Sequence, residues 1–349
     1  MKKFIILIIL AILLTTCLWA LKIIFISQSG SGENKIFIIN EGEGVHQISR
    51  NLKQAGLIDN FFIFETYLWL IEGGSKIMAG EHVINDKWNI RTLAMVLMTG
   101  SYLENEETIK IIEGWNLRDI AAYLEKQGIC TADEFYFWAG RPAVNYNIKK
   151  KYEQTTQNWA ESYHLLENKP TNYGLEGFLF PDTYRIYKNA KPQEIIQKML
   201  SNFERKVNKE ILAEIKAQKK DLYDVIILAS IIEKEAKTYE DKQRVAGVYY
   251  NRLNIGMALQ ADPTVNYVTG NITDRPTLDE ISTDSLFNTY KYPGLPPTPI
   301  CNPGLDSIRA AVYPERNGYY YFLNTPDGKL IFSRTLEEHK RNRLKYFND

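Results

Sequence analysis

The longest apolar run of the chain lies at its start. Residues 4–21 carry no charge, Lys22 interrupts, and residues 23–26 are apolar again. A helix over residues 4–26 is long enough for a hydrocarbon core of ~30 Å. Lys2 and Lys3 precede the run, and Lys22 near its far end can reach the headgroups. A cleaved signal peptide needs a shorter apolar run and a small-x-small site, and Leu18-Trp19-Ala20 is a poor one. Thr16 directly before Cys17 is likewise a poor lipoprotein box. The pattern predicts an uncleaved anchor in residues 1–27 with its N-terminus inside, although Lys22 and Lys35 weaken the charge asymmetry. A short polar linker, residues 28–35, follows.

Beyond the linker, short β-prone runs alternate with amphipathic helices, and the pattern repeats. Glu41-Gly42 returns as Glu113-Gly114. The same offset aligns Val45 with Leu117, Ile48 with Ile120, Leu52 with Leu124, Gly56 with Gly128 and Leu57 with Ile129. Each copy opens with a β-prone run (residues 36–40 and 108–112). Each continues as a helix with apolar positions three and four apart, closed by Gly. Second helices are predicted over residues 60–71 and 132–138, and a returning strand over 79–84. Residues 36–85 thus read β-α-α-β, within a module bounded at 36–105. That order resembles the small LysM-type carbohydrate-binding module. A plain α+β spacer has the same pattern, and fold alone does not choose between them. Residues 141–171 are polar and aperiodic and read as a surface excursion. The whole is expected to be α+β: a transmembrane helix, the small module, then a mixed α/β domain over 106–349 built on a buried helix.

Composition narrows the chemistry. The 349 residues hold 42 basic and 42 acidic side chains, so no basic excess points to nucleic acid. The four His are scattered, the three Cys form no CxxC, and HExxH, GxSxG, P-loop and GxGxxG patterns are absent. Carboxylates remain as candidate catalysts. Residues 221–237 (DLYDVIILASIIEKEAK) are apolar around most of a helix, which predicts burial. Glu233 emerges from that buried stretch, where desolvation favours the neutral form that a general acid needs. Glu235 lies ~200° further around the helix and cannot share its face. A solvated charged helix end would also account for the EKE run. Asp262 before Pro263 reads as an N-cap and N1 pair, with a catalytic carboxylate as the lesser reading. The Pro-rich stretch 293–299 reads as a rigid wall.

Four separated motifs then converge. ASIIEKEA (229–236), NRLNIGMALQADPTVNY (251–267), NTYKYPGLPPTPICNPG (288–304) and LEGFLFPDTY (175–184) resemble the YceG/MltG family of endolytic peptidoglycan lytic transglycosylases. The departures are Ala261 in the LQ-x-DPT motif and Thr298-Pro299 in the proline loop. The resemblance implies cleavage of the MurNAc–GlcNAc bond to 1,6-anhydroMurNAc ends, on nascent strands whose elongation it ends. It implies that the first Glu of the EKE run, here Glu233, is the acid/base. Gln260 and Asn288 would line the glycan cleft, with Asp262, Thr264, Tyr290, Glu176 and Tyr184 as further binding residues. No metal or organic cofactor is implied. The implied partners are peptidoglycan strands, the bacterial cytoplasmic membrane and, as candidates, cell-wall synthases of the penicillin-binding type. The catalytic domain would lie outside the membrane. The competing class is a membrane-anchored, catalytically weak glycan-binding scaffold for such synthases. Without the anchor's lysines the chain holds 39 basic and 42 acidic residues, a net of −3, so attraction to an anionic wall polymer is not expected to drive binding.

Overall fold

The computed structural model describes residues 24–26, 32–99, 106–148, 158–271 and 275–347. The expected anchor lies outside these residues except for its last turn. Among the described residues no helix is long and apolar enough to cross a membrane. The chain divides into two compact units, Met1–Glu106 and Glu107–Asp349.

The first unit runs β1 (Asn34–Ile39), α1 (Val45–Gln54), α2 (Phe61–Leu70), β2 (Gly80–Asn85), α3 (Ile90–Thr99). β1 and β2 pair antiparallel, with Ile36 opposite Val83 and Ile38 opposite Glu81. Alternation along β1 turns Phe37 and Ile39 inward, where they join Ile48, Leu52, Phe64, Leu68, Ile84 and Leu93 in one core. α2 starts at Asn60, whose side-chain oxygen accepts the Phe62 and Ile63 N–H groups.

The second unit opens on the other copy of the repeat: β3 (Glu106–Lys110), α4 (Leu117–Lys126) and α5 (Ala132–Ala139). The copies agree down to the backbone. Gly42 and Gly114 have φ of 79° and 80°, and Gly56 and Gly128 have 68° and 72°. These left-handed positions make the turn into each first helix and the exit from it. β3 pairs with β4 (Thr183–Tyr187), and α6 (Pro192–Lys206) follows β4 as α3 follows β2. The intervening stretch is less of a surface excursion than its polarity predicts, because Tyr146, Trp159 and Leu166 are buried.

The remaining elements are α7 (Lys209–Ala217), α8 (Leu222–Glu235), α9 (Tyr239–Asn254), α10 (Asp262–Thr269), α11 (Leu278–Ile281), α12 (Leu305–Val312), the hairpin β5 (Tyr321–Asn324) and β6 (Leu330–Ser333), and α13 (Leu336–Phe347). α8 is the axis of the unit. All its residues from Val225 to Ile232 are buried, and α9 and α12 pack on it. The proline loop is tied down by Asn302. Its Oδ1 accepts the Gly177 and Leu179 N–H groups at 3.0 and 2.9 Å, and its Nδ2 donates to the Trp115 carbonyl at 3.0 Å. Gly177 has φ of 91°, and a Cβ there would stand 2.4 Å from Pro299 Cγ. The loop is therefore a rigid wall, and both 175–180 and 114–117 are fixed against it.

Candidate active site

α8 ends in two glutamates that leave it on different sides. Glu233 enters a closed cage of donors. Lys242 Nζ, from α9, lies 3.2 Å from both carboxylate oxygens. The Gly304 N–H at 2.9 Å and the Ser307 hydroxyl at 2.6 Å donate to Oε2. The Glu233 and Lys242 side chains are only 8% and 4% exposed. Gly304 caps α12, so the carboxylate also meets the positive end of that helix. The Glu113 carboxyl lies against the Gly304 Cα, where a Cβ would stand 2.2 Å from it. Burial and then the charge of Glu233 raise the Glu113 pKa. Glu233 is therefore a bolt joining α8, α9 and α12. The apolar surroundings read from the sequence are replaced by an ammonium, an amide and a hydroxyl.

Glu235 has the environment expected of its neighbour. It is the last residue of α8, since Ala236 is already extended. Its Oε1 accepts the Tyr249 hydroxyl at 2.9 Å, and among the described residues Oε2 accepts no hydrogen bond. Burial pushes its pKa up to about 7. The Tyr249 bond opposes that rise, the Asp262 charge adds to it, and the Arg252 charge opposes it. A carboxyl poised near neutrality can both give and take a proton.

The sequence from 252 to 290 builds the wall beside Glu235. Buried Arg252 donates from Nη1 to the Leu259 carbonyl at 2.6 Å and from Nε to the Tyr320 carbonyl at 2.6 Å, which pins the loop before α10. Gln260 is exposed and takes a left-handed φ of 48°. Such backbone strain in a non-glycine residue persists only where neighbours enforce it. Here the Gln260 N–H donates to the Thr289 carbonyl at 3.1 Å, and the Ala261 N–H to the Thr289 hydroxyl at 3.0 Å. Asn288 Nδ2 donates to the Ile281 and Thr283 carbonyls, both at 2.8 Å, and its Oδ1 accepts the Tyr290 N–H at 3.1 Å. These bonds set the Tyr290 hydroxyl on Asp262 Oδ1. Burial raises the Asp262 pKa, with the Tyr290 bond opposing it.

Of the residues expected to line a glycan cleft, Gln260, Asp262 and Tyr290 sit together on this wall. Four others do not reach a ligand surface. Asn288 and Thr264 are fully buried and knit the wall from behind, Thr264 through the Ala261 carbonyl and the Thr289 hydroxyl. Tyr184 is buried, donating to the Phe180 carbonyl and accepting from Asn202. Glu176, 3% exposed, accepts the Leu117 N–H at 3.1 Å and the Tyr267 hydroxyl at 2.8 Å. Asp262 is also no N-cap: Ala261 takes that position, and α10 has no side-chain cap. Sequence reasoning set Glu235 aside by its place on the helix and gave no role to Tyr249, Arg252 or Thr289. Cys130 and Cys301 are both free thiols.

Burial pushes the Glu176 pKa up to about 8, against the Tyr267 and Leu117 hydrogen bonds. A carboxyl raised on folding contributes stability that is complete below its unfolded pKa and is lost as pH rises through about 8. Glu176→Gln removes that ionisation and keeps an acceptor for the Leu117 N–H. The variant is expected to melt higher than the parent at pH 9, with the gap closing by pH 5, in parallel calorimetric scans.

Comparison with known proteins places the chain among relatives. The YceG-like family profile matches residues 37–345. The endolytic murein transglycosylase of Bacillus subtilis is 33% identical over 318 residues, which cover 89% of this chain and 84% of that protein. The endolytic murein transglycosylase of Streptococcus pneumoniae D39 is 30% identical over 332 residues, and the match spans only 58% of its length. The crystal structure of a yceG-like protein from Listeria monocytogenes superposes with a TM-score of 0.55 at 33% identity. That match covers 89% of this chain and all of the other.

Proposed function

The chain belongs to the YceG-like family, and from that premise we propose that it is an endolytic murein transglycosylase whose acid/base is Glu235. The carrying observation is the Glu235 carboxyl, poised at about 7 at the end of a buried helix, beside the Gln260–Asp262–Tyr290 wall. The protonated acid donates to the oxygen bridging MurNAc and GlcNAc. The C1–O bond breaks as oxocarbenium character develops at C1 of MurNAc. The C6 hydroxyl of the same sugar attacks C1, and the Glu235 carboxylate takes its proton. The 1,6-anhydro ring closes, Glu235 is again protonated, and no water is consumed. Tyr249 holds the carboxyl in place throughout. Asp262, steadied by Tyr290, sets a negative field near the developing cation. Intramolecular attack gains from preset proximity.

The reading extends to location. Residues 4–26 anchor the chain in the cytoplasmic membrane, with both units outside and the catalytic unit acting on nascent strands. Cell-wall synthases are the fitting partners. Supporting this, the described end of the apolar run seats on the first unit. The Asn89 side chain donates to the Phe25 carbonyl at 3.1 Å, and the Arg91 guanidinium lies over the Phe25 ring. The β-α-α-β order of the first unit supports a LysM-like module there.

The test is digestion of purified glycan strands by the full-length chain in detergent, with mass analysis of the fragments. Internal cuts giving anhydroMurNAc ends are expected. Reducing ends would instead assign Asp262 to activating water, and intact strands would leave a binding scaffold.

A further inference from the structure

We propose that the corner between α5 and α6 is a second glycan subsite, separate from the Glu235 cleft, which holds a sugar of the same strand away from the scissile bond. The inference rests on the peptidoglycan reading of the substrate. A cavity of about 520 Å³ lies where the outer face of α5 meets the start of α6, walled by Phe137, Trp138, Pro192 and the polar side chains of Asp133, Glu134, Lys191 and Gln193. Phe137 is 39% exposed. Its ring stands 5.3 Å from Trp138 at 88°, so the two rings form a right-angled apolar corner.

That corner is held from behind. Trp159 packs edge-on to Trp138 at 6.4 Å, and its indole N–H donates to the Trp138 carbonyl at 3.2 Å. Trp159 also packs against Tyr163, whose hydroxyl donates to the Gln197 carbonyl of α6 at 3.2 Å. The rings are thus set before any ligand arrives, which limits the entropy lost on binding. Two lining residues carry donors: among the described residues neither Trp138 Nε1 nor Lys191 Nζ has a hydrogen-bond partner, since the bonds of Trp138 and Lys191 run through their backbone carbonyl and N–H.

This chemistry fits an amino sugar. Aromatic faces suit the C–H face of a pyranose and pair an apolar body with a polar edge. The indole N–H and the lysine can meet an N-acetyl oxygen, and the Asp133 and Glu134 carboxylates can accept from sugar hydroxyls. Concavity with a few convergent polar groups marks a small-ligand site more than a flat protein contact. A strand held here raises its effective concentration at the cleft without any new contact to the reacting sugars.

Binding is measured with the full-length Glu235→Gln chain in detergent and uncrosslinked peptidoglycan strands as the probe. Phe137→Ala and Lys191→Ala, each added to that chain, are expected to weaken long-strand binding about tenfold. In the active chain the same changes should raise KM for long strands and leave kcat on short oligomers unaltered. Lys191 is exposed, so Lys191→Ala should melt with the parent; Phe137→Ala removes a ring that packs on Trp138, so its binding is measured well below its own melting temperature. Long-strand binding unchanged in both variants would overturn the subsite. Cleavage by the unsubstituted chain is scored separately: if it cuts no strand while Phe137→Ala still weakens binding, the catalytic reading fails and the subsite stands.

Discussion

Glu235→Gln is expected to leave the fold intact and to reduce strand cleavage by about 10²–10⁴-fold, the scale of a lost general acid/base. The amide keeps an acceptor for the Tyr249 hydroxyl, so the wall and the helix end have no cause to move. It cannot protonate the bridging oxygen or take the C6 proton. The same group dictates the pH profile. With its pKa raised to about 7, the acid form is lost as pH rises through neutrality. The rate on the free enzyme should therefore fall above pH about 7. Initial rates from pH 5 to 9, with circular dichroism of the variant, check both statements. A variant that folds and cuts at the parental rate would remove Glu235 from the chemistry.

The second large effect falls on stability. Glu233→Ala strands the Lys242 ammonium, 4% exposed, and orphans the Gly304 N–H and Ser307 hydroxyl. Breaking one side of a buried pair costs roughly 3–5 kcal/mol. In a unit of this size that is a drop in melting temperature on the order of 10 °C. Glu233→Gln combined with Lys242→Met removes both charges and keeps an acceptor for the two remaining donors. It should recover most of the loss. Differential scanning calorimetry of the three proteins decides it: equal melting of Glu233→Ala and parent would mean that the cage carries no stability. Lost activity in Glu233→Ala is expected too, because the last turn of α8 loses its bolt, but it should be regained in the double variant.

The two glutamates show what the sequence can and cannot carry. Burial of α8 was legible, since apolar residues surround it. That same all-round apolarity removes the stripe that would tell one side from another. Spacing says that Glu233 and Glu235 face apart. Which of them meets Lys242 and which meets Tyr249 depends on where α9 and α12 pack, and that is set by contacts far along the chain. The repeat was legible to single residues, because Gly42, Gly56 and their partners mark backbone positions that other residues resist. The wall was half legible. Gln260, Asp262 and Tyr290 lie in motifs that also contain Asn288 and Thr264, and motif membership does not separate residues that face a ligand from those that hold the wall upright. Polarity misled at Glu176 and Tyr184, whose hydrogen bonds are all satisfied inside the protein.

The most direct test sets Glu235→Gln beside the Glu233→Gln, Lys242→Met double variant on one preparation of glycan strands and counts anhydroMurNAc ends, each lighter than a reducing end by one water. The geometry predicts abundant anhydro ends from the double variant and none above background from Glu235→Gln. Anhydro ends from Glu235→Gln, with none from a folded double variant, would contradict it and return the chemistry to Glu233.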